Sequence, residues 1–273
     1  MEKIAPKKSL GQHFLHDKNI AKKIVELLDP PDGSLVLEIG PGTGVLTELL
    51  LEKKITLLAS EIDTRSVEVL KKQFSKYYGK NFIIFEEDFL KMDLTKLSEK
   101  YGQKIYVIGN IPYYITSPIL FHLFDHSDFL VKSVIMVQKE IAVRLRAKER
   151  TKEYGILSLG MQLHGKIGKV YDVPASCFIP HPKVTSAFFA IDYFGTNEGI
   201  VPSEIRKDVH KLVRSAFQQR RKKVSNSIKN FIAMHNLNIG ELPENIIKYY
   251  NQRPEELSLQ DFLILYNFLI TQK

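Results

Sequence analysis

The chain has 273 residues, of which 44% are hydrophobic, so it is long enough to bury one large core and a smaller second one. The only cysteine, Cys177, excludes an internal disulfide framework and a multi-thiolate zinc site. The eight histidines show no pair spaced like metal ligands on one helix face, so we expect no metal.

Hydropathy and charge limit the classes of molecule that the protein can bind. No apolar run approaches the ~20 residues that span a bilayer, and the first fifteen residues lack the apolar core of a signal peptide. We therefore expect a soluble, cytoplasmic protein with no membrane partner. The net charge of +8 and the pI near 9.3 favour a polyanionic partner.

Strand and helix patterns alternate through the first 195 residues. The first helix is predicted to follow the N-cap residue Asp17 and to end before Pro30 and Pro31. Alternation of this kind indicates a mainly parallel sheet covered on both faces, which gives strands that are apolar throughout. The predicted strands are 34–40, 55–63, 81–88, 104–110, 131–138 and 185–194, and the helices between them are 45–54, 64–78 and 117–124.

Strand signals stop near residue 196. Residues 203–270 show helical patterns only, which predicts a small all-helical C-terminal domain. We therefore expect an α/β domain over residues 1–195 and a helical domain over residues 196–273.

The segment LEIGPGTG predicts a ligand site at the end of the first strand. Gly40 and Gly42 lie in the turn that leads to the next helix, where missing side chains let a ligand approach the backbone. Glu61 ends the second strand and can accept both hydroxyls of a ribose, and Asp88 ends the third. The alternative is a simple tight turn, but acids at neighbouring strand ends make a ligand site the better interpretation.

Two cofactor classes use such an edge. A dinucleotide site has the spacing G-x-G-x-x-G, whereas this turn has G-x-G-x-G, and Glu38 would repel a pyrophosphate. S-adenosylmethionine carries a sulfonium and an ammonium but no phosphate, so acids around its pocket are acceptable. We therefore favour S-adenosylmethionine as the cofactor.

The fourth strand ends in Asn110-Ile111-Pro112-Tyr113, at the same predicted edge. The Asn110 side-chain oxygen and the Ile111 carbonyl can accept N–H bonds from an exocyclic base amine and so expose its lone pair to a methyl donor. Pro112 fixes the backbone, and Tyr113 can stack on the base. A β-bulge or turn with a surface tyrosine is the alternative for this motif taken alone.

Several motifs together resemble the rRNA adenine N6-dimethyltransferase family, almost from end to end of the chain. They are NIPYY, LEIGPGTG, KKSLGQHFL, EYGILSLGMQL, VPASCFIPHPKVTSAFF, RSAFQQRRKKVSNSIK and RPEELSLQDF. The resemblance implies a Rossmann-like class I methyltransferase fold with a mostly parallel seven-stranded sheet. It also implies dimethylation of two adjacent adenosines near the 3′ end of small-subunit rRNA.

The resemblance also implies roles for individual residues. The expected cofactor-binding residues are His13, Leu15, Gly40, Gly42, Glu61, Asp88 and Asn110. Phe178 is expected to hold the target base against Tyr113, although a position in the core is the alternative on sequence alone. The chain departs from the common pattern at His13, Tyr114 and His181, and Tyr114 makes transfer of the second methyl group less secure than the first.

A basic segment completes the predicted site. Residues 206–229 contain nine lysines or arginines and one acid, a surplus equal to the net charge of the whole chain. We expect this segment to contact RNA phosphates, whereas a solvated helix face and a membrane-surface helix are the alternatives. The expected RNA-binding residues are Arg214, Arg220, Arg221, Lys222 and Lys223.

Three other functions stay open at this point. The protein can be a methyltransferase of large-subunit rRNA, a ribosome-assembly or RNA-binding factor with secondary methyl transfer, or a nicotinamide oxidoreductase. The C-terminal motifs favour the small-subunit enzyme, acting on an immature 30S subunit as a monomer. The glycine spacing disfavours the oxidoreductase.

Overall fold

A computed structural model describes residues 4–7, 10–195 and 198–271. The chain forms two compact units, the first from Met1–Ala142 and Ile167–Tyr193 and the second from Val143–Lys166 and Phe194–Lys273. Lys8 and Ser9 of the N-terminal motif, and residues 196–197 at the predicted domain boundary, lie outside the described residues.

The described residues contain ten strands and twelve α-helices. The strands are β1 (Phe14–Leu15), β2 (Leu35–Ile39), β3 (Thr56–Ser60), β4 (Phe82–Phe85), β5 (Ile105–Asn110), β6 (Leu130–Gln138), β7 (Gly165–Ile167), β8 (Tyr171–Val173), β9 (Phe178–Ile179) and β10 (Ser186–Tyr193). The helices are α1 (Lys18–Leu28), α2 (Val45–Leu50), α3 (Thr64–Gln73), α4 (Leu94–Tyr101), α5 (Thr116–Asp125), α6 (Lys139–Leu145), α7 (Ile156–His164), α8 (Ser203–Phe217), α9 (Val224–Ser227), α10 (Lys229–Met234), α11 (Glu244–Asn251) and α12 (Leu259–Ile270).

The central sheet is mostly parallel, as predicted. Its strands run in the order β4-β3-β2-β5-β6-β10, with parallel pairing from β4 to β6 and antiparallel pairing between β6 and β10. β8 also pairs with β10 and is the seventh strand of the sheet. The short β7, where the chain returns from the second unit to the first, is the eighth. The sheet therefore has eight strands where seven were expected, because three-residue strands such as β7 and β8 leave no readable pattern in the sequence.

Burial explains why these strands are apolar throughout. All five residues of β2 are buried, including Glu38, since neighbouring strands and helices cover both faces of the sheet. Helix α1 buries Ile24 and Leu28 in the same core, and Asp17 caps its start by accepting bonds from the amides of Asn19 and Ile20.

The second unit differs from the predicted C-terminal domain in one respect. Residues 143–166 belong to it, although the sequence-based boundary assigned them to the α/β domain. The reason is packing: Tyr154, Leu159 and Leu163 lie in one apolar core with residues of α8 and α12. The expectation that residues 203–270 are helical agrees with the structure, whose α8 to α12 all lie there.

A buried arginine organises the loop before α8. Arg206 is 1% exposed, and its guanidinium donates to the backbone carbonyls of Phe194, Gly195, Glu198 and Val201. Carbonyls that accept from a charged donor compensate the cost of burying that donor. Arg206 is thus a structural residue, although it is one of the nine cations of the basic segment 206–229.

The described residues include neither a membrane-spanning helix nor a metal-binding cluster. None of the helices among them is both long and apolar enough to cross a membrane. Within the same ranges, no three His, Cys, Asp or Glu side chains are grouped closely enough to hold a metal ion.

We predict that Arg206→Met lowers the free energy of unfolding by about 3 kcal/mol, because several buried carbonyls lose a charged donor. Urea unfolding followed by circular dichroism measures this. Lys207→Met is the matched control, since Lys207 is exposed and next in sequence. Equal losses in the two variants would contradict the structural role of Arg206.

Candidate active site

Four parallel strands end at one edge of the sheet, and a pocket lies there. The strands β2, β3, β4 and β5 are hydrogen-bonded neighbours, so their carboxyl ends align. The pocket has a volume of about 750 Å³ including its open mouth. Nine predicted site residues line it: His13, Gly40, Gly42, Glu61, Asp88, Asn110, Ile111, Pro112 and Tyr113.

The glycine-rich turn forms one wall of this pocket. Gly40 has φ +62°, a conformation that disfavours residues with a Cβ, and a Cβ added there would meet no atom within 4 Å. Gly42, with φ +57°, lies beneath the ring of Phe14, where a Cβ would come within 2.9 Å of the ring. The turn therefore leaves space for a ligand at Gly40 and is closed by Phe14 at Gly42.

Two carboxylates follow β3 and β4. Glu61 is 5% exposed and accepts bonds from the Gly42 amide, at 3.1 Å, and from the Asp63 amide, at 2.9 Å. Burial raises the pKa of Glu61, and these backbone bonds partly offset the rise. Asp88 lies half-buried in the pocket and accepts from the Leu90 amide at 3.0 Å. Both groups can accept hydrogen bonds from hydroxyl or amine groups of a ligand.

The Asn110 side chain has a defined orientation. Its Nδ2 donates to the backbone carbonyl of His13 at 2.8 Å. The amide nitrogen is thereby engaged, and Oδ1 is the atom that remains to accept a bond from a ligand. Ile111 extends the ladder beyond β5, because its amide donates to Met136 at 3.0 Å. Asn110 is therefore held by a backbone carbonyl next to an ordered strand end.

Tyr113 is fixed at both ends of its ring. Its hydroxyl hydrogen-bonds with the hydroxyl of Ser186 in β10, and the ring of His13 stacks on it at 5.5 Å between centroids. Burial raises the pKa of Tyr113, so it is protonated at neutral pH. A fixed aromatic ring beside Asn110 provides a stacking surface for a planar base.

Two predicted residues lie outside this pocket. Phe178 is fully buried in the core of the first unit and does not line the pocket, so the structure does not bring it to a base beside Tyr113. The reason is strand pairing: β9 pairs with β1, with Phe178 opposite Leu15. Leu15 is buried too, and it lines a smaller cleft beneath the glycine-rich turn.

A second buried acid lies beneath the turn. Glu38 is 1% exposed and lines the same smaller cleft. Burial, together with the negative charge of Glu61, raises the pKa of Glu38 to about 8, although the Thr47 hydroxyl donates to it at 2.7 Å. A cation bound here would favour the ionised form of these two buried acids, whereas a phosphate would be repelled by it.

Sequence reasoning missed several pocket residues. Ile62 is 47% exposed and lines the pocket as an apolar surface, and its signal was its place directly after the acid that ends β3. Gln12 also lines the pocket, and its sequence signal is its place in the N-terminal motif KKSLGQHFL. Asp63 does not line the pocket, and two of its partners, Lys7 and Gln12, are more than fifty residues away in sequence, so no local pattern indicates its contacts with the N-terminal segment.

The predicted RNA-binding residues lie in the second unit and divide into two groups. Arg220 is tied within that unit, since it donates to Glu255 and to the carbonyls of Thr151 and Lys152. Nε and Nη2 of Arg214 are buried. The exposed cations are Arg221, Lys222 and Lys223, and they lie in the turn between α8 and α9, not on the predicted helix.

The pocket residues fit S-adenosylmethionine. Glu61, Asp88 and Ile62 line one pocket, where the two carboxylates can accept bonds from hydroxyl or amine groups and Ile62 offers an apolar surface to a planar ring. The open space at Gly40 admits the methionine part, and the buried acids suit its positive charges. The mostly parallel sheet with a glycine-rich turn and this pocket define a class I methyltransferase.

The family follows from the comparison with known sequences. The family model described as ribosomal RNA adenine dimethylase matches residues 4–264, and the chain belongs to this family of methyltransferases.

Three known proteins illustrate the likeness. A protein of Mycoplasma mobile named ribosomal RNA small subunit methyltransferase A is 42% identical over 260 residues, which are 95% of this chain and 96% of that protein. The crystal structure of a dimethyladenosine transferase from Plasmodium falciparum has a TM-score of 0.73 at 26% identity, covering 95% of this chain and 98% of its own. The 23S rRNA methyltransferase ErmE shares the fold, with a TM-score of 0.62 at 23% identity over 94% of this chain and 99% of its own.

We predict that the unliganded protein loses stability between pH 4.5 and 8, because Glu38 is neutral when folded and ionised when unfolded over that range. The pKa of Glu38 is higher in the folded state than in the unfolded state. Its contribution to the free energy of unfolding is therefore complete below pH 4.5 and is lost as the pH rises to about 8. It amounts to on the order of 4 kcal/mol.

Urea unfolding at pH 5 and pH 8 measures this effect. Glu38→Gln should flatten the pH dependence, whereas Glu48→Gln, an exposed acid paired with Lys18, should leave it unchanged. An unchanged pH dependence in Glu38→Gln would show that Glu38 is not the titrating group.

Proposed function

We propose that this protein uses S-adenosylmethionine to dimethylate N6 of two adjacent adenosines near the 3′ end of small-subunit (16S) rRNA. The substrate is the rRNA in an immature 30S subunit in the cytoplasm, and the protein acts as a monomer. The observation that carries the proposal is Asn110, whose amide is held by the His13 carbonyl at the pocket edge, beside the ring of Tyr113.

The Asn-Ile-Pro-Tyr motif prepares the amine for attack. The lone pair of an adenine N6 is delocalised into the ring, so the amine is a poor nucleophile. Asn110 Oδ1 and the Ile111 carbonyl accept its two N–H bonds and favour a more tetrahedral nitrogen. Pro112, at φ −57° and ψ 131°, holds the backbone that carries these acceptors. Tyr113 stacks on the base.

The same residues avoid the need for a general base. S-adenosylmethionine supplies a methyl group already activated by its sulfonium. The nitrogen gains a positive charge on attack and then loses a proton, so no base is needed before transfer. The acceleration then comes largely from alignment of the amine by Asn110 and Tyr113.

The positions of these residues in the pocket support their proposed cofactor roles. Glu61 accepts hydrogen bonds from the ribose hydroxyls, Asp88 accepts one from the adenine amine, and Gly40 borders the methionine part. His13 lines the same pocket as Gly40, and Leu15 lines the smaller cleft beneath the turn, which supports a cofactor-binding role for both.

The choice of the small subunit is supported by the name of the Mycoplasma relative and by the C-terminal motifs. The fold alone does not choose between subunits, because ErmE shares it. Base stacking on an exposed pocket edge suits single-stranded or flipped adenosines. The exposed cations Arg221, Lys222 and Lys223 are placed to contact phosphates.

Methyl transfer to the subunit tests the proposal directly. Small subunits that lack these methyl groups are incubated with labelled S-adenosylmethionine, digested and analysed by nucleoside chromatography. We expect N6,N6-dimethyladenosine in 16S rRNA. Asn110→Ala should reduce kcat by about 100-fold, because an aligned acceptor is lost, and Asn19→Ala, an exposed asparagine of α1, should match the wild type.

Other outcomes distinguish the alternatives. Product in 23S rRNA alone would identify a large-subunit enzyme. Tight binding to the subunit without product would favour an assembly factor. Unchanged methylation by Asn110→Ala would exclude activation of the amine by the Asn-Ile-Pro-Tyr motif.

The exposed cations give a separate prediction. Arg221→Ala/Lys222→Ala should weaken binding to the small subunit and reduce the slope of log affinity against log salt by about 1.5, since two phosphate contacts are lost. Filter binding at several salt concentrations measures this slope. Lys22→Ala/Lys23→Ala, which removes two exposed lysines of α1, is the control with the same charge change. Equal slopes in both double variants would exclude a specific role for the turn.

A further inference from the structure

The N-terminal strap, residues 10–15, covers one side of the pocket. Five of its residues line the pocket: Leu10, Gly11, Gln12, His13 and Phe14. The two-residue strand β1 pairs only Phe14 and Leu15 of this segment, so side-chain contacts must hold the rest of the strap.

The first anchor is the buried carboxylate of Asp63. The side chain has no solvent exposure and accepts bonds from Gln12 Nε2 at 3.2 Å and Lys7 Nζ at 3.5 Å. It also accepts from the Arg65 guanidinium, which lowers the pKa of Asp63 and keeps it ionised. Gln12 Oε1 accepts from the Lys7 amide at 2.8 Å, so both ends of the Gln12 amide are engaged.

Capping α3 does not account for this arrangement. As the N-cap of α3, Asp63 accepts a bond from the Arg65 amide, and it forms an ion pair with the Arg65 guanidinium. Neither interaction involves the N-terminal segment. The bonds from Lys7 and Gln12 cross 56 and 51 residues of sequence and serve the strap instead.

The second anchor is on the other side of His13. β1 pairs with β9, the His13 ring nitrogen Nδ1 hydrogen-bonds with the Pro180 carbonyl at 2.8 Å, and the His16 amide donates to Cys177 at 3.0 Å. His13 therefore lies between the two anchors. Its carbonyl accepts the amide of Asn110, and its ring stacks on Tyr113.

We propose that Asp63 is a positioning residue for methyl transfer: through Gln12 it holds the strap, and through the His13 carbonyl the strap orients the amide of Asn110. The inference rests on the proposed function, because Asn110 is assigned there to the adenine amine. Without the Asp63 anchor, the strap is held on one side only. The His13 carbonyl then moves, and Asn110 loses the contact that fixes its orientation.

Gln12→Met tests the link with little change in side-chain size. We expect kcat for transfer to 30S subunits to fall about ten-fold, the effect of losing a bond to a charged acceptor. The KM for the subunit should stay within two-fold, since the exposed cations are unchanged. Amide hydrogen exchange in residues 10–15 should rise about ten-fold by the same reasoning.

A rescue variant separates positioning from a loss of structure. Gln12→Lys keeps a donor for the Asp63 oxygen that Gln12 bonds and leaves the ion pair of Asp63 with Arg65 intact, so it should recover part of both kcat and exchange protection. Lys18→Met, which breaks the exposed ion pair with Glu48 in the same unit, is the control and should match the wild type. Thermal unfolding of each variant confirms that it is folded.

The outcomes are distinct. An unchanged kcat in Gln12→Met, with or without faster exchange, would overturn the proposal, and so would a folded Gln12→Lys that recovers no activity relative to Gln12→Met. Absence of methyl transfer by the wild-type protein would instead refute the proposed function, and hydrogen exchange would still report whether Asp63 anchors the strap.

Discussion

The parallel alignment of β2, β3, β4 and β5 is the constraint on which the site depends. Each strand contributes one chemical feature just after its carboxyl end, and the hydrogen-bond ladders fix how those ends lie side by side. A shift of one residue in any ladder would move its functional group to the other face of the sheet. Buried, apolar strands make such a shift costly. The precision of the pocket is therefore set by the core.

Electrostatics add a second level. Glu38 and Glu61 are buried and have raised pKa values, whereas Asp63, two residues beyond Glu61, stays ionised because Arg65 and Gln12 donate to it. The cost of ionising Glu38 and Glu61 is only partly offset by the protein, so a cationic ligand can lower it further. The negative charge of Asp63 is already offset by donors of the protein itself. The first arrangement favours ligand binding, and the second favours a fixed strap.

The sequence predicted what local patterns determine. The glycine-rich turn, the acids after β3 and β4, and Asn110 after β5 follow from apolar runs that end at characteristic residues, and all lie at the pocket. Distant contacts determine the remaining positions. Phe178 is in the core because β9 pairs with β1, and residues 143–166 join the second unit because Leu159 and Leu163 pack there. Pairings of two or three residues leave no periodicity to detect.

The basic segment shows why formal charge overstates the charge that a partner can meet. Arg206 lies among backbone carbonyls, Arg220 bonds to Glu255 and two carbonyls, and Lys211 pairs with Asp208 at 2.8 Å. A guanidinium that holds two loops together cannot also follow a phosphate backbone without releasing them. In the proposed function, affinity for RNA is therefore assigned to exposed cations such as Arg221 and Lys222 in the turn after α8. Removing a structural arginine would reduce RNA binding too, but by loosening the second unit, so its salt dependence would change little.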